Sequence, residues 1–231
     1  MGRMNNELEN ETMIDFHTHT LLSDGALVPA EHIRRAQVRG YRILGMSDHV
    51  DLATMEQIIP VLLVAAAREN ELGEMAIFAG VELTHVRPAH IAEATAQARR
   101  CGSQYVICHG ETIAEPVQPG TNRAAIEAGV DILAHPGLIS PEDATLAAER
   151  GVLLEITAKT GHSLCNGYVV NIARQTGAKL IFGSDAHDPE QMPTRDYAEA
   201  VCRGAGLDQA EIAAMFAEAE KLAQKLNASR K

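Results

Sequence analysis

The chain has 231 residues, 46% of them apolar, with no Trp and a formal net charge of −11. This allows one large domain or two small ones around an aliphatic core. It also argues against a nucleic-acid partner, because a phosphate-backbone footprint needs clustered Lys and Arg. No apolar run approaches the ~20 residues that cross a bilayer, and the opening MGRMNNELENET is polar and acidic with no apolar signal region. A cytoplasmic protein without membrane contact is therefore expected.

Residues 1–12 read as a flexible N-terminal tail and residues 13–231 as a single domain. Strands are expected at 13–18, 42–47, 76–82, 104–108, 131–134, 152–157 and 179–183. Helices are expected near 29–40, 55–73, 89–101, 121–128, 141–150, 165–176 and 194–204. Strands alternating with helices imply a parallel sheet, open or closed into a barrel. The last stretch, DQAEIAAMFAEAEKLAQKLN, has Asp208 as a candidate N-cap and Glu211 three residues on. Ile212, Met215, Phe216, Ala219, Leu222 and Leu226 form its apolar stripe, so it is expected to pack across the domain.

The four cysteines (Cys101, Cys108, Cys165, Cys202) form no CxxC pair and read as reduced thiols. Cys108 alternates with His109 and is expected behind the sheet.

Polar residues fall at the ends of the strand candidates. The first, MIDFHTHTLLSDG, gives His17 and His19, with Asp24 in the following turn. Residues i and i+2 of a strand share a face, so Asp15, His17 and His19 form one polar row. "SDH" gives His49, "AGVE" Glu82, "ICHG" His109, "LAHPG" His135, and "GSDAH" Asp185 and His187. In (β/α) barrels the strand C-termini are the edge where active sites are built. Six imidazoles, three carboxylates and no thiolate suit Zn, Mn or Fe. Nine ligands exceed what one ion uses, and three ions sharing a bridging carboxylate fit better. His32 and His90 fall on helices and read as surface residues.

In "DFHTHTLLSDG", "MSDHVD", "GVE", "CHGET", "AHPG" and "GSDAH", taken in that order, the chain resembles the PHP superfamily of polymerase and histidinol phosphatase domains. The resemblance covers roughly residues 13–188. It implies a distorted (β/α)7 barrel with a trinuclear metal site at the strand C-termini. His17, His19 and Asp185 resemble the ligands of one ion, and Glu82 the bridge to a second completed by His109 and His135. His49 and His187 resemble ligands of the third, with Asp24 where some relatives place a His. Glu82, Asp185 and His187 are the expected catalytic residues, and Asp15 is a candidate for orienting a ligand.

The resemblance implies a metal-dependent phosphoesterase, and a small phosphomonoester is the expected substrate: a histidinol-phosphate-like compound, a nucleotide or a sugar phosphate. A hydroxide bridging two of three divalent ions (Zn, Mn or Fe) would attack it. Arg87, His85, Lys159, His162 and Arg195, on loops after the strands, are candidates to hold phosphate. Two enzyme alternatives are an amidohydrolase-type C–N or C–O hydrolase and a PHP nuclease or phosphodiesterase. The former would use a bridging carbamylated lysine, and Lys159 is the only lysine near a strand end. A non-catalytic binding module is the third alternative, but relatives of that kind have eroded metal sites, and here every ligand position is filled.

Overall fold

The computed structural model of the protein describes residues 12–228. The expected N-terminal tail, save Thr12, lies outside the described residues. The strands are β1 (Met13–Asp15), β2 (Tyr41–Met46), β3 (His49–Val50), β4 (Ala76–Ala79), β5 (Val81–Leu83), β6 (Val106–His109), β7 (Ile132–Ala134), β8 (Leu153–Thr157) and β9 (Leu180–Gly183). The helices are α1 (Pro29–Val38), α2 (Met55–Asn70), α3 (Pro88–Arg100), α4 (Thr121–Ala128), α5 (Pro141–Arg150), α6 (Asn166–Thr176), α7 (Arg195–Gly204) and α8 (Gln209–Ala228).

All strand pairings among the described residues are parallel, in the orders β1-β2-β4 and β3-β5-β6-β7-β8-β9. The expected strand 76–82 is broken at Gly80 between β4 and β5, and the short β3 follows β2 just beyond the expected strand 42–47. Hydrogen bonds from Gly80 N to Met46 O (2.8 Å) and from Glu82 N to Asp48 O (3.1 Å) carry the pairing across both breaks. At the other edge, Asp185 N donates to His17 O (2.8 Å) and His19 N to Ala186 O (2.9 Å). The last strand thus returns to the first at the C-terminal rim, which completes a distorted (β/α)7 barrel.

Tyr105 explains part of the distortion. Its hydroxyl donates to Phe16 O (2.7 Å), and its ring stands edge-on to Phe16 at 5.3 Å. A Cβ at Gly45 or Gly80 would collide with this side chain. Both glycines therefore leave a slot that the tyrosine fills inside the barrel, where packing is dense. Cys108 is buried, as its alternation with His109 implies.

α8 closes the opposite end. Its capping box forms: Glu211 N donates to Asp208 Oδ1 and Asp208 N to Glu211 Oε2, both at 2.8 Å. The expected apolar stripe is buried. Ion pairs from Glu218 to Lys179, Lys225 to Asp131 and Glu220 to Arg42 tie the helix to residues at the starts of β9, β7 and β2. Among the described residues no helix is long and apolar enough to cross a membrane.

His32 corrects the sequence reading. Helical spacing places it with Ile33 and Ala36 on the inner face of α1, where it is 1% exposed. Its Nε2 lies 2.8 Å from Thr18 Oγ1. That hydroxyl donates to Gly45 O (2.7 Å), so it accepts from the ring. Far from being a surface residue, His32 locks α1 to the end of the first strand. His90 is exposed, as expected.

Candidate metal centre

The barrel brings all nine expected ligands together at the C-terminal rim. Glu82, at the middle of β5, is fully buried and stands at their centre. Its Oε1 lies 3.5 Å from His17 Nε2 and 3.8 Å from His135 Nε2. Its Oε2 lies 3.8 Å from His19 Nε2 and 2.7 Å from His49 Nδ1. Asp185 Oδ1 lies 3.2 Å from His19 Nε2 and 3.8 Å from His17 Nε2. Asp24 Oδ1 lies 3.3 Å from His49 Nε2 and 3.2 Å from His187 Nε2.

The ligand atoms fall into overlapping groups, each within 4.8 Å: His17, His19 and Glu82; His17, His135 and Asp185; His19, Asp24, His49 and His187. His109 groups with His135 and His162. The residues fit divalent ions on two observations of this structure. Atoms held ~2.1 Å from one ion are spaced by about 3.0–3.4 Å, which resembles the shorter separations here. And His17 Nε2, both ring nitrogens of His19 and His135, Glu82 Oε1 and Asp185 Oδ1 are buried with no hydrogen-bond partner. Buried polar atoms without partners are costly, and a shared cation would satisfy them together.

The charges are divided unevenly. Burial pulls His19 down to about 3 and His135 well below the usual imidazole range, so both stay neutral, the form that binds metal. Burial also opposes charge on His17, but Glu155, then Glu82 and Asp185, outweigh it and lift it well above that range. His49 rises to about 10 against the same burial penalty, because Glu82 and Asp24 attract its proton. Excess carboxylate draws in positive charge, whether protons or metal ions.

A framework of buried acids orients the ligands. Glu155 Oε1 lies 2.6 Å from His17 Nδ1, and Glu155 Oε2 accepts from His135 N (3.0 Å). Asp15 Oδ1 accepts from His17 N (3.0 Å) and Ser184 N (3.2 Å), so it fixes the backbone on both sides of the barrel seam. Asp48 Oδ1 accepts from Thr20 N (2.9 Å) and Ser23 N (3.1 Å), pinning the loop that carries Asp24. His135 and Asp185 hold φ values of 27° and 53°. Non-glycine residues rarely adopt these, and such strain gathers at functional sites.

The five candidate phosphate contacts divide. Lys159 Nζ reaches the cluster, donating to Asp185 O (3.0 Å) and lying 2.6 Å from His187 Nδ1. His162 is buried beside His109 and His135. His85 stands at the rim, its Nε2 3.0 Å from Glu115 Oε2. Arg87 is exposed just ahead of α3. Arg195 is held elsewhere: its guanidinium lies 3.4 Å over the Phe216 ring of α8, donates to Glu199 (2.9 Å) and reaches Thr12 O (3.3 Å), ahead of β1. These contacts hold it against α8 and the residue ahead of β1, and none of them is with the nine residues of the cluster.

Sequence reasoning missed Glu155 and Glu115. Glu155 had a signal: it is the single charge in the buried run LLEIT, and a charge inside a parallel strand needs a partner. Glu115 lies in a loop and carried none.

A parallel barrel with imidazoles and carboxylates gathered at its strand ends has the fold of metal-dependent hydrolases of the PHP and amidohydrolase type. No family model matches the chain. The uncharacterized protein MJ1295 of Methanocaldococcus jannaschii is 42% identical over 200 residues, which cover 86% of this chain and 92% of that one. The chain belongs to the same family as MJ1295. Among solved structures, a chain of archaeal ribonuclease P with mature tRNA aligns at a TM-score of 0.69 and 17% identity, covering 93% of this chain and 91% of that one. A chain from the YwqE (Bacillus subtilis) and CpsB (Streptococcus pneumoniae) metal-dependent tyrosine phosphatases aligns at 0.60 and 15%, covering 92% and 94%. A candidate histidinol phosphatase of Listeria monocytogenes aligns at 0.53 and 12%, covering 78% and 97%. The resemblance to the PHP superfamily stands at the level of fold.

The ribonuclease P likeness overturns the expectation against a nucleic-acid partner, since this fold occurs in an assembly solved with tRNA. The error was to read a partner from net charge, which sums the whole chain and says little about the potential at one face.

Proposed function

We propose that the protein is a metal-dependent phosphoesterase that removes a terminal phosphate. The observation that carries this reading is Glu82, a buried carboxylate shared by four imidazoles: His17, His19, His49 and His135. It supports a bridging role between ions held by the nine ligands, three ions in all. It also weighs against the carbamylated-lysine alternative, because Lys159 meets Asp185 and His187. Divalent ions bound there supply a nucleophile near neutral pH and neutralise charge on phosphoryl oxygens.

The chain's own residues do the rest. Glu155 holds the orientation of His17, and Asp15 and Asp48 fix the backbone that presents His17 and Asp24. Lys159 adds an ammonium group beside Asp185 and His187, where it can meet a phosphoryl oxygen. A crevice of about 440 Å³ lined by Lys159, Thr160, Ser184, Gln191 and Tyr197 offers room for the leaving group. Its size accommodates a small molecule, and the ribonuclease P likeness favours testing a nucleic-acid end as well.

The test is a panel of small phosphomonoesters, phosphodiesters and 5′- or 3′-phosphorylated oligonucleotides, given to metal-loaded protein. Phosphate release that stops on chelation is the expected result. Hydrolysis of N-acyl amino acids or dipeptides, with no phosphoester cleaved, would replace this reading with the amidohydrolase one.

A further inference from the structure

Two side chains outside the nine-residue set meet beside His109: His162, from the 3-10 turn His162–Cys165 after β8, and Glu115, from the loop after β6. We infer that both are ligands of the ion held by His109 and His135, which gives that position three imidazoles and the Glu115 carboxylate beside the shared Glu82. The inference rests on the metal-cluster reading above.

The ring nitrogens carry the argument. His109 Nδ1 lies 3.1 Å from Gly110 O, which only accepts, so Nδ1 holds the proton and Nε2 presents a lone pair. That Nε2 faces Glu115 Oε2 at 3.3 Å. His162 Nδ1 is occupied by Thr112 Oγ1 (2.7 Å), and its Nε2 faces Glu115 Oε1 at 3.4 Å. The lone pair on His109 Nε2 and a carboxylate repel each other unless a cation lies between them, and the His162 ring, whose Nδ1 partner is a hydroxyl that can donate, is free to present its Nε2 lone pair in the same way. Each separation is close to the spacing of two ligand atoms held ~2.1 Å from one ion, about 3.0–3.4 Å, with a different Glu115 oxygen facing each ring. His135, 3% exposed, completes the set: neither ring nitrogen has a partner, and its ligand atom lies within 4.8 Å of those of His109 and His162. His85 Nε2, 3.0 Å from Glu115 Oε2, holds the carboxylate over the position.

With Glu82 these are five protein ligands, a filled set, whereas catalytic positions keep one place open. The open places then lie on the opposite flank, among His19, Asp24, His49 and His187, beside Lys159. Three imidazole nitrogens with carboxylate oxygens suit Zn²⁺ at the closed position.

The test uses the full chain loaded with Zn²⁺ and, separately, with Co²⁺, whose visible absorption changes with its ligands and coordination number. Chelator competition on wild type should reveal one ion held more tightly than the rest. Glu115→Gln and His162→Gln should each weaken that ion at least tenfold and shift its cobalt band, while the other ions stay. His90→Ala, at an exposed position, should change neither. The Glu115 side chain is 39% exposed, so its variant does not endanger the fold. Unchanged metal content, affinity and spectrum in both variants would overturn the inference. Wild type that binds no metal would overturn it together with the cluster reading, a result visible before any variant is made.

Discussion

His17 Nδ1 lies 2.6 Å from Glu155 Oε1, and both side chains are 1% exposed. This pair joins the first strand to the sixth expected one across the barrel. It fixes which His17 nitrogen faces the cluster, because Nδ1 is engaged and Nε2 is left for a ligand role. Carboxylates that orient ligating histidines this way commonly contribute 10–100-fold in metal affinity. Glu155→Gln should weaken metal binding by about that factor, as measured by chelator competition. A Cβ at Gly183 would collide with Glu155 Oε1, so Gly183→Ala should weaken binding in the same direction. Wild-type affinity in both would show that the pair is structural only.

Glu82→Gln tests the bridge. One neutral amide oxygen cannot replace a carboxylate shared among four imidazoles, so metal and phosphoesterase activity should be lost together. His90→Ala is the proper control. His32 cannot serve, because its burial against Thr18 makes any change there a change in the barrel seam. Full activity in the Glu82 variant would show the bridge to be misplaced.

His32 also predicts an acid sensitivity. Burial pulls its imidazole from the ordinary 6.5 down to about 4. Above pH 6.5 the ring is neutral in folded and unfolded chains alike, and it costs nothing. As pH falls from 6.5 to about 4, the unfolded chain takes the proton first and stability is lost. The loss reaches about 3 kcal/mol once pH is below the folded value. Urea unfolding of wild type and His32→Gln at pH 7 and pH 4.5 checks this. The variant should lose less stability on acidification, and equal losses would contradict the assignment.

The strands and their terminal ligands were legible because burial on both faces of a parallel sheet writes near-continuous apolar runs. A His or Glu at the end of such a run stands out. The breaks near Ser47 and at Gly80 were not legible, and Tyr105, which fills the space left by Gly45 and Gly80, is distant in sequence from both. His32 was misread because one His among the Arg and Glu of α1 looks solvated, although Ile33 and Ala36 mark the buried face. Arg195 opens α7, and its place after His187 in the sequence says nothing of its direction; Phe216, which its guanidinium covers, lies on α8. Glu115 takes its meaning from three imidazoles on three other segments, which only the folded chain assembles.

The central claim is that the strand-end cluster binds several divalent ions. Elemental analysis of the protein as purified, then after reconstitution with Zn, Mn or Fe and removal of loose metal, tests it most directly. The expected result is about three equivalents per chain, falling with Glu82→Gln and unchanged with His90→Ala. One equivalent or less after reconstitution would contradict the account.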